Sequence, residues 1–110
     1  MADCIFCQMV NGKIATDKIY EDEHIFVIKD IHPKAKVHLL VIPKTHIDSL
    51  AEVKEQHGPL LGYMMTSLNN FAKEQGLSGF RTVINTGASG GQEIFHLHIH
   101  LLGGGSLPKL

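Results

Sequence analysis

Residues 90–105 read "GGQEIFHLHIHLLGGG", and the reading of this stretch decides the fold. His96, His98 and His100 take every second position, with Leu97, Ile99 and Leu101 between them. Alternation of this kind is the period of a β-strand, so the imidazoles share one face and the aliphatic side chains point into the core. Only the histidine face is then open to water, ligand or metal. Threonine, lysine or serine would serve a solvated face equally well, so three alternating histidines ask for a chemical reason. Two are open: zinc ligation by imidazoles two residues apart, or one imidazole as nucleophile while its neighbours hold its tautomer or share its proton.

The preceding loop, "NTGASGGQ" from Asn85 to Gln92, sets glycines beside that face. Glycine lets successive backbone N–H groups converge on an anion. No Gly-Lys-Ser/Thr follows, so this is not a Walker loop. N–H donors beside imidazoles are what a phosphoryl group needs, namely charge stabilisation and a nitrogen nucleophile. The pairing favours phosphorus chemistry.

Farther out, "KIYEDEHIFVIKDIHP" predicts two β segments joined by an acidic turn at Asp22 and Glu23. "KVHLLVIPKTH" predicts a third, ending at Pro43. From Pro59 the period changes. Leu60, Leu61, Met64, Met65, Leu68, Phe71 and Ala72 recur at three- and four-residue spacing, the stripe of an amphipathic helix. Pro59 suits its first turn and Gly76 its left-handed end. "FRTVINTG" is the next strand, "ASGGQ" a turn and "EIFHLHIHLL" the last strand, while "CIFCQMV" fits a short N-terminal helix. The order β-β-β-α-β-β predicts an α+β fold, a five-stranded mostly antiparallel sheet with one long helix, in a single domain over 1–110.

Hydrophobic residues make up 44% of the 110 and charged residues 19%, a composition that supports a packed core and argues against disorder. A formal net charge of −1 gives no reason to expect nucleic acid or an anionic membrane as partner. No apolar run approaches the ~20 residues of a membrane span. "MADCIFCQMV" lacks the basic start and cleavage site of a secretory signal, so the cytoplasm is the expected location. Cys4 and Cys7 then read as reduced thiols, one half of a zinc site needing two further ligands. His24, His32 and His57 have no partner in the pattern and are expected at the surface.

"HLHIHLL" resembles the His-φ-His-φ-His-φ-φ signature (φ apolar) of the histidine triad family of nucleotide hydrolases and transferases. "IYEDE", "IKDIHPKAKVHLLVIPKTHI", "VINTGASGGQEIFHLHIHLLGG" and the N-terminal "IF" resemble its Hint branch, the purine nucleoside phosphoramidases, along almost the whole chain. The resemblance implies that His98 attacks the α-phosphorus and forms a nucleotidyl-histidine that water then opens. The alternation alone does not single this residue out. It further implies that His100 and His38 assist phosphate binding and proton transfer, and that Asn85, Gly91 and Gln92 contact the phosphate. Asp30 would bind the ribose, although it would equally open a turn before His32 and Pro33. Ile5, Phe6, Met9, Ile28 and Ile31 would form the base pocket. Zinc-containing members imply a structural zinc on Cys4, Cys7, His46 and His96, with no catalytic metal required.

The same resemblance implies a homodimer whose sheet continues across the two-fold axis. At Glu93 many relatives carry serine, which leaves the leaving-group preference open. Two other functions stay in view: a dinucleoside polyphosphate hydrolase, and a nucleotide- or zinc-binding interaction module with vestigial catalysis.

Overall fold

The computed structural model describes residues 3–110. A short helix α1 (Ile5–Val10) opens the chain, followed by β1 (Tyr20–Glu21), β2 (Ile25–Lys29) and β3 (Val37–Pro43). After two 3-10 turns come the long helix α2 (Gly58–Glu74), then β4 (Phe80–Val83) and β5 (Ile99–Gly103). The strands form one antiparallel sheet in the order β1-β2-β3-β5-β4. This is the β-β-β-α-β-β layout read from the sequence.

Both faces of the sheet are covered, which is why β2 and β3 read as continuous apolar runs and not as alternations. On one face Ile25, Val27, Leu39, Val41, Ile99 and Leu101 pack against Met64, Leu68, Phe71 and Ala72 of α2. On the other, Phe26, Ile28, Leu40 and Ile42 pack against Phe6 of α1. Met65 lies outside the core stripe, 48% exposed, because α2 turns only its Met64–Leu68–Phe71 side to the sheet. Pro59 falls in the first turn of α2. At the other end Gly76 takes φ 74°. Its N–H reaches the Lys73 carbonyl while Leu77 N–H reaches Ala72, the Schellman pairing that closes a helix.

The last strand departs from expectation. It starts at Ile99, so "EIFHLH" lies outside the ladder. Val41 pairs with Ile99, so an extended ladder would set Leu97 opposite Pro43. Pro43 has no N–H, and its carbonyl accepts from the His96 ring at 2.7 Å. The Leu97 N–H turns to the Ile47 carbonyl instead, at 2.7 Å. The three histidines are unequally covered: His96 is 0% and His98 8% exposed, against Phe6, whereas His100 is half-buried.

Met64 is fully buried and Asn69 exposed on the same helix. Met64→Ala is expected to cost about 2–5 kcal/mol and Asn69→Ala to stay within about 0.5 kcal/mol, measured by urea unfolding. Equal effects would contradict the packing.

Candidate active site

Strand register builds the centre of the site. His38 on β3 pairs with Leu102, and Leu40 with His100 on β5. Opposed residues of an antiparallel pair share a face, so His38 and His100 are diagonal neighbours on the α1 side of the sheet. Their rings meet, with His38 Nε2 2.9 Å from His100 Nδ1. Asp30, one residue beyond β2, brings Oδ2 to 3.3 Å from His38 Nε2. Its other oxygen accepts from His32 N–H at 2.8 Å, so the turn before Pro33 is real as well. The His98 ring lies 4.9 Å from that of His100, centroid to centroid.

Hydrogen-bond partners fix which nitrogen of each ring carries the proton. A carbonyl only accepts, so His98 donates Nδ1–H to the His96 carbonyl at 2.7 Å. Its Nε2 keeps a lone pair, the state a nucleophile needs. His96 gives Nε2–H to Pro43, which turns its Nδ1 lone pair toward Cys4 Sγ at 3.2 Å and Cys7 Sγ at 3.6 Å. His46 gives Nε2–H to Asp48 at 2.6 Å and turns Nδ1 to Cys7 Sγ at 3.3 Å.

The second constellation therefore fits a closed metal site. The sulfurs of Cys4 and Cys7 and a ring nitrogen each of His46 and His96 lie within 4.8 Å of one another. Tetrahedral zinc with its usual bond lengths sets S···N at about 3.5 Å. Each imidazole also has the outer hydrogen-bond acceptor that metal-bound histidines favour. Burial, helped by the neighbouring Cys4 thiol, pushes the Cys7 thiol up, so metal would enter by displacing a proton. Cys4 sits at the N-cap of α1, so such a site would tie α1 to the sheet.

Asn85 lies against Gly91, whose φ of 94° is the left-handed conformation glycine tolerates. Gln92 is committed to the loop itself. Its Oε1 accepts from Gly87 N–H at 2.9 Å, and its Nε2 donates to the carbonyls of Asp48 and Ile94. Its backbone N–H goes to Gly87 as well, so its part is to hold the loop's shape. Of the base-pocket candidates, Phe6, Ile28 and Met9 sit in the α1-side core, Ile5 is partly exposed, and Ile31 is 86% exposed. Glu93 is exposed and lines a surface concavity with Asp3, Ile5, Asp48 and Phe95, beside Cys4. His24 and His32 are exposed, whereas His57 is half-buried and accepts from Lys54 N–H.

Sequence reasoning missed Asp48, Pro43 and Lys34. Asp48 had a signal, an acid two residues after a proposed ligand in "THID". The other two act through backbone groups: the Pro43 carbonyl, and the Lys34 N–H that donates to His38 Nδ1 at 3.0 Å.

A family model described as scavenger mRNA decapping enzyme C-term binding matches residues 3–107. Protein HitA of Neisseria gonorrhoeae is 52% identical over 104 residues, 94% of this chain and 97% of that protein. The purine nucleoside phosphoramidase of Escherichia coli is 36% identical over 110 residues, covering 98% and 92%. A histidine triad protein from Clostridium difficile superposes with TM-score 0.94 at 41% identity, covering 100% of this chain and 97% of that one. A zinc-bound histidine triad family protein from Mycobacterium smegmatis does so with TM-score 0.79 at 33% identity, covering 93% and 75%.

Burial pushes His100 down to about 4, with His98 and His38 adding to it. Burial lowers His38 too, against the pull of Asp30. A histidine depressed in the folded state binds protons more readily when unfolded. Its stability contribution is therefore complete above the unfolded value of about 6.5 and is lost as pH falls toward about 4. In chelator-treated protein the urea midpoint should drop between pH 7.5 and 4.5, and less so in His100→Asn. A midpoint flat over that range would contradict the burial argument.

Proposed function

The chain belongs to the histidine triad family, and from that premise we propose that it hydrolyses purine nucleoside 5′-phosphoramidates and related nucleoside phosphate adducts to the nucleoside monophosphate. The observation that carries this reading is the tautomer of His98. With Nδ1–H held by the His96 carbonyl, the lone pair of the neutral ring lies on Nε2, next to the His38–His100 pair. His98 Nε2 attacks the α-phosphorus, an N–P bond forms and the P–N bond to the amine breaks. The amine nitrogen takes a proton from solvent water as it leaves, and a second water then opens the nucleotidyl-histidine, giving the nucleoside monophosphate and returning the imidazole. His100, backed by His38, meets the phosphoryl oxygens, and the loop at Asn85 and Gly91 encloses them with its shape held by Gln92. Asp30 takes the ribose hydroxyls, and the aliphatic side chains around Ile28 and Ile31 take the base. The E. coli relative, 36% identical, is a purine nucleoside phosphoramidase, and this supports the substrate class.

Cys4, Cys7, His46 and His96 would hold a structural zinc, a reading supported by their fit and by the zinc-bound M. smegmatis relative. The metal would supply cross-linking only, leaving His98 to chemistry. The homodimer expected of this branch would extend the sheet at β4, since β1 at the opposite edge has only two residues. The cytoplasm is the proposed location. Among the described residues no helix is long and apolar enough to cross a membrane.

Two measurements test this reading. Turnover of an adenosine phosphoramidate should exceed that of a diadenosine polyphosphate, and His98→Ala should abolish it while AMP still binds. Near-wild-type turnover in that variant would sink the nucleophile assignment, and a faster polyphosphate rate would move the protein to the other enzymatic class. Reductant-purified protein should carry about one zinc per chain, and Cys7→Ser should lower both the metal content and the melting midpoint. A variant unchanged in both would refute the structural zinc.

A further inference from the structure

Asp30, His38 and His100 bring one ligating atom each to within 4.8 Å of one another, a second grouping with the composition of a divalent-metal site. What separates it from the cysteine-containing site is the direction of its hydrogen bonds. In the cysteine site both imidazoles give their proton outward, to Pro43 and Asp48, and turn lone pairs inward. In the trio the order is reversed. The Lys34 backbone N–H can only donate, and it points at His38 Nδ1 at 3.0 Å. A neutral His38 must then carry its own proton on Nε2, the atom facing His100 Nδ1 at 2.9 Å and Asp30 Oδ2 at 3.3 Å. His100 in turn accepts at Nδ1 and is left with a proton on Nε2.

We propose that the Lys34 amide is a positioning group of this active site: through His38 it makes His100 present an N–H, and not a lone pair, to the phosphoryl group, and it denies the trio to metal ions. The inference deepens the phosphoramidase reading and rests on it for the identity of the group that His100 meets. Its chemical content is specific. An amide does not release its proton, so the line Lys34 to His38 to His100 cannot conduct one; it can only orient. His100 therefore acts as a fixed donor to negative oxygen, the arrangement that stabilises developing phosphoryl charge without reorganisation. A metal would need the lone pair of His38 Nε2, which a proton occupies. Freeing it means moving that proton to Nδ1, against the Lys34 N–H. The surroundings agree: the His38 side chain is 3% exposed and cannot swing to solvent.

The test needs no substrate, so an inactive enzyme and a wrong tautomer are separate results. Long-range proton–nitrogen NMR of labelled protein at pH 7.5 should show His38 and His100 both protonated at Nε2. Lys34→Ala keeps the amide and should keep this pattern. Lys34→Pro removes the N–H and should release His38 to the Nδ1–H form. On zinc titration it should then bind one more equivalent than Lys34→Ala, and Asp30→Asn placed in the Lys34→Pro background should abolish that equivalent. Should Lys34→Pro not fold, the wild-type spectrum decides alone. His38 found with its proton on Nδ1, or Lys34→Ala taking up the extra zinc, would overturn the proposal.

Discussion

The antiparallel pairing of β3 with β5 is the constraint on which the rest of this molecule depends. Its register puts Leu39, Val41, Ile99 and Leu101 under α2, and the alternating pairs, His38 with Leu102 and Leu40 with His100, put the two imidazoles in contact on the opposite face. Core and candidate active site are thus two sides of one ladder. A one-residue slip would send the imidazoles into the α2 core and the aliphatics out. The apolar alternation that stabilises the fold therefore also fixes the geometry of the proposed active site.

The end of that ladder does equal service. Where Pro43 stops β3, the backbone of residues 96–98 is free to make bonds a paired strand could not make. The Pro43 carbonyl takes the His96 proton, and the His96 carbonyl takes the His98 proton. Two adjacent triad histidines thereby acquire opposite chemistry from their acceptors alone. His96 turns Nδ1 to the thiols, while His98 keeps its lone pair on Nε2. The third, His100, is set as a donor by a different backbone group, the Lys34 amide acting through His38. Three identical side chains are told apart by which nitrogen the backbone engages.

The sequence made the order of elements legible because each boundary has a local physical cause. Pro59 and Gly76 bound α2, Pro43 ends β3, and Asp22 opens the first hairpin through bonds to the backbone of His24 and Ile25. The metal-type cluster was reached through family resemblance from "CIFC" and "PKTHI", and the four side chains do meet. What stayed hidden was tertiary. The period-two pattern runs through His96 and His98 although, among the described residues, no strand pairs with them, since alternation records facing and not pairing. Met65 matched the helical spacing yet lies on the wrong side of the stripe. Gln92, one residue from a phosphate-type glycine, is used up by its own loop, and no pattern announces the Lys34 amide because every residue but proline carries one.

The central claim is that His98 is a nucleophile with a free Nε2, and its most direct test is chemical. An adenosine phosphoramidate reaction stopped in the steady state and examined by intact-protein mass spectrometry should reveal a covalent AMP adduct. Peptide mapping should place the adduct on His98, and it should decay in water after substrate is removed. Turnover with no adduct under single-turnover conditions, or an adduct on another residue, would contradict the account.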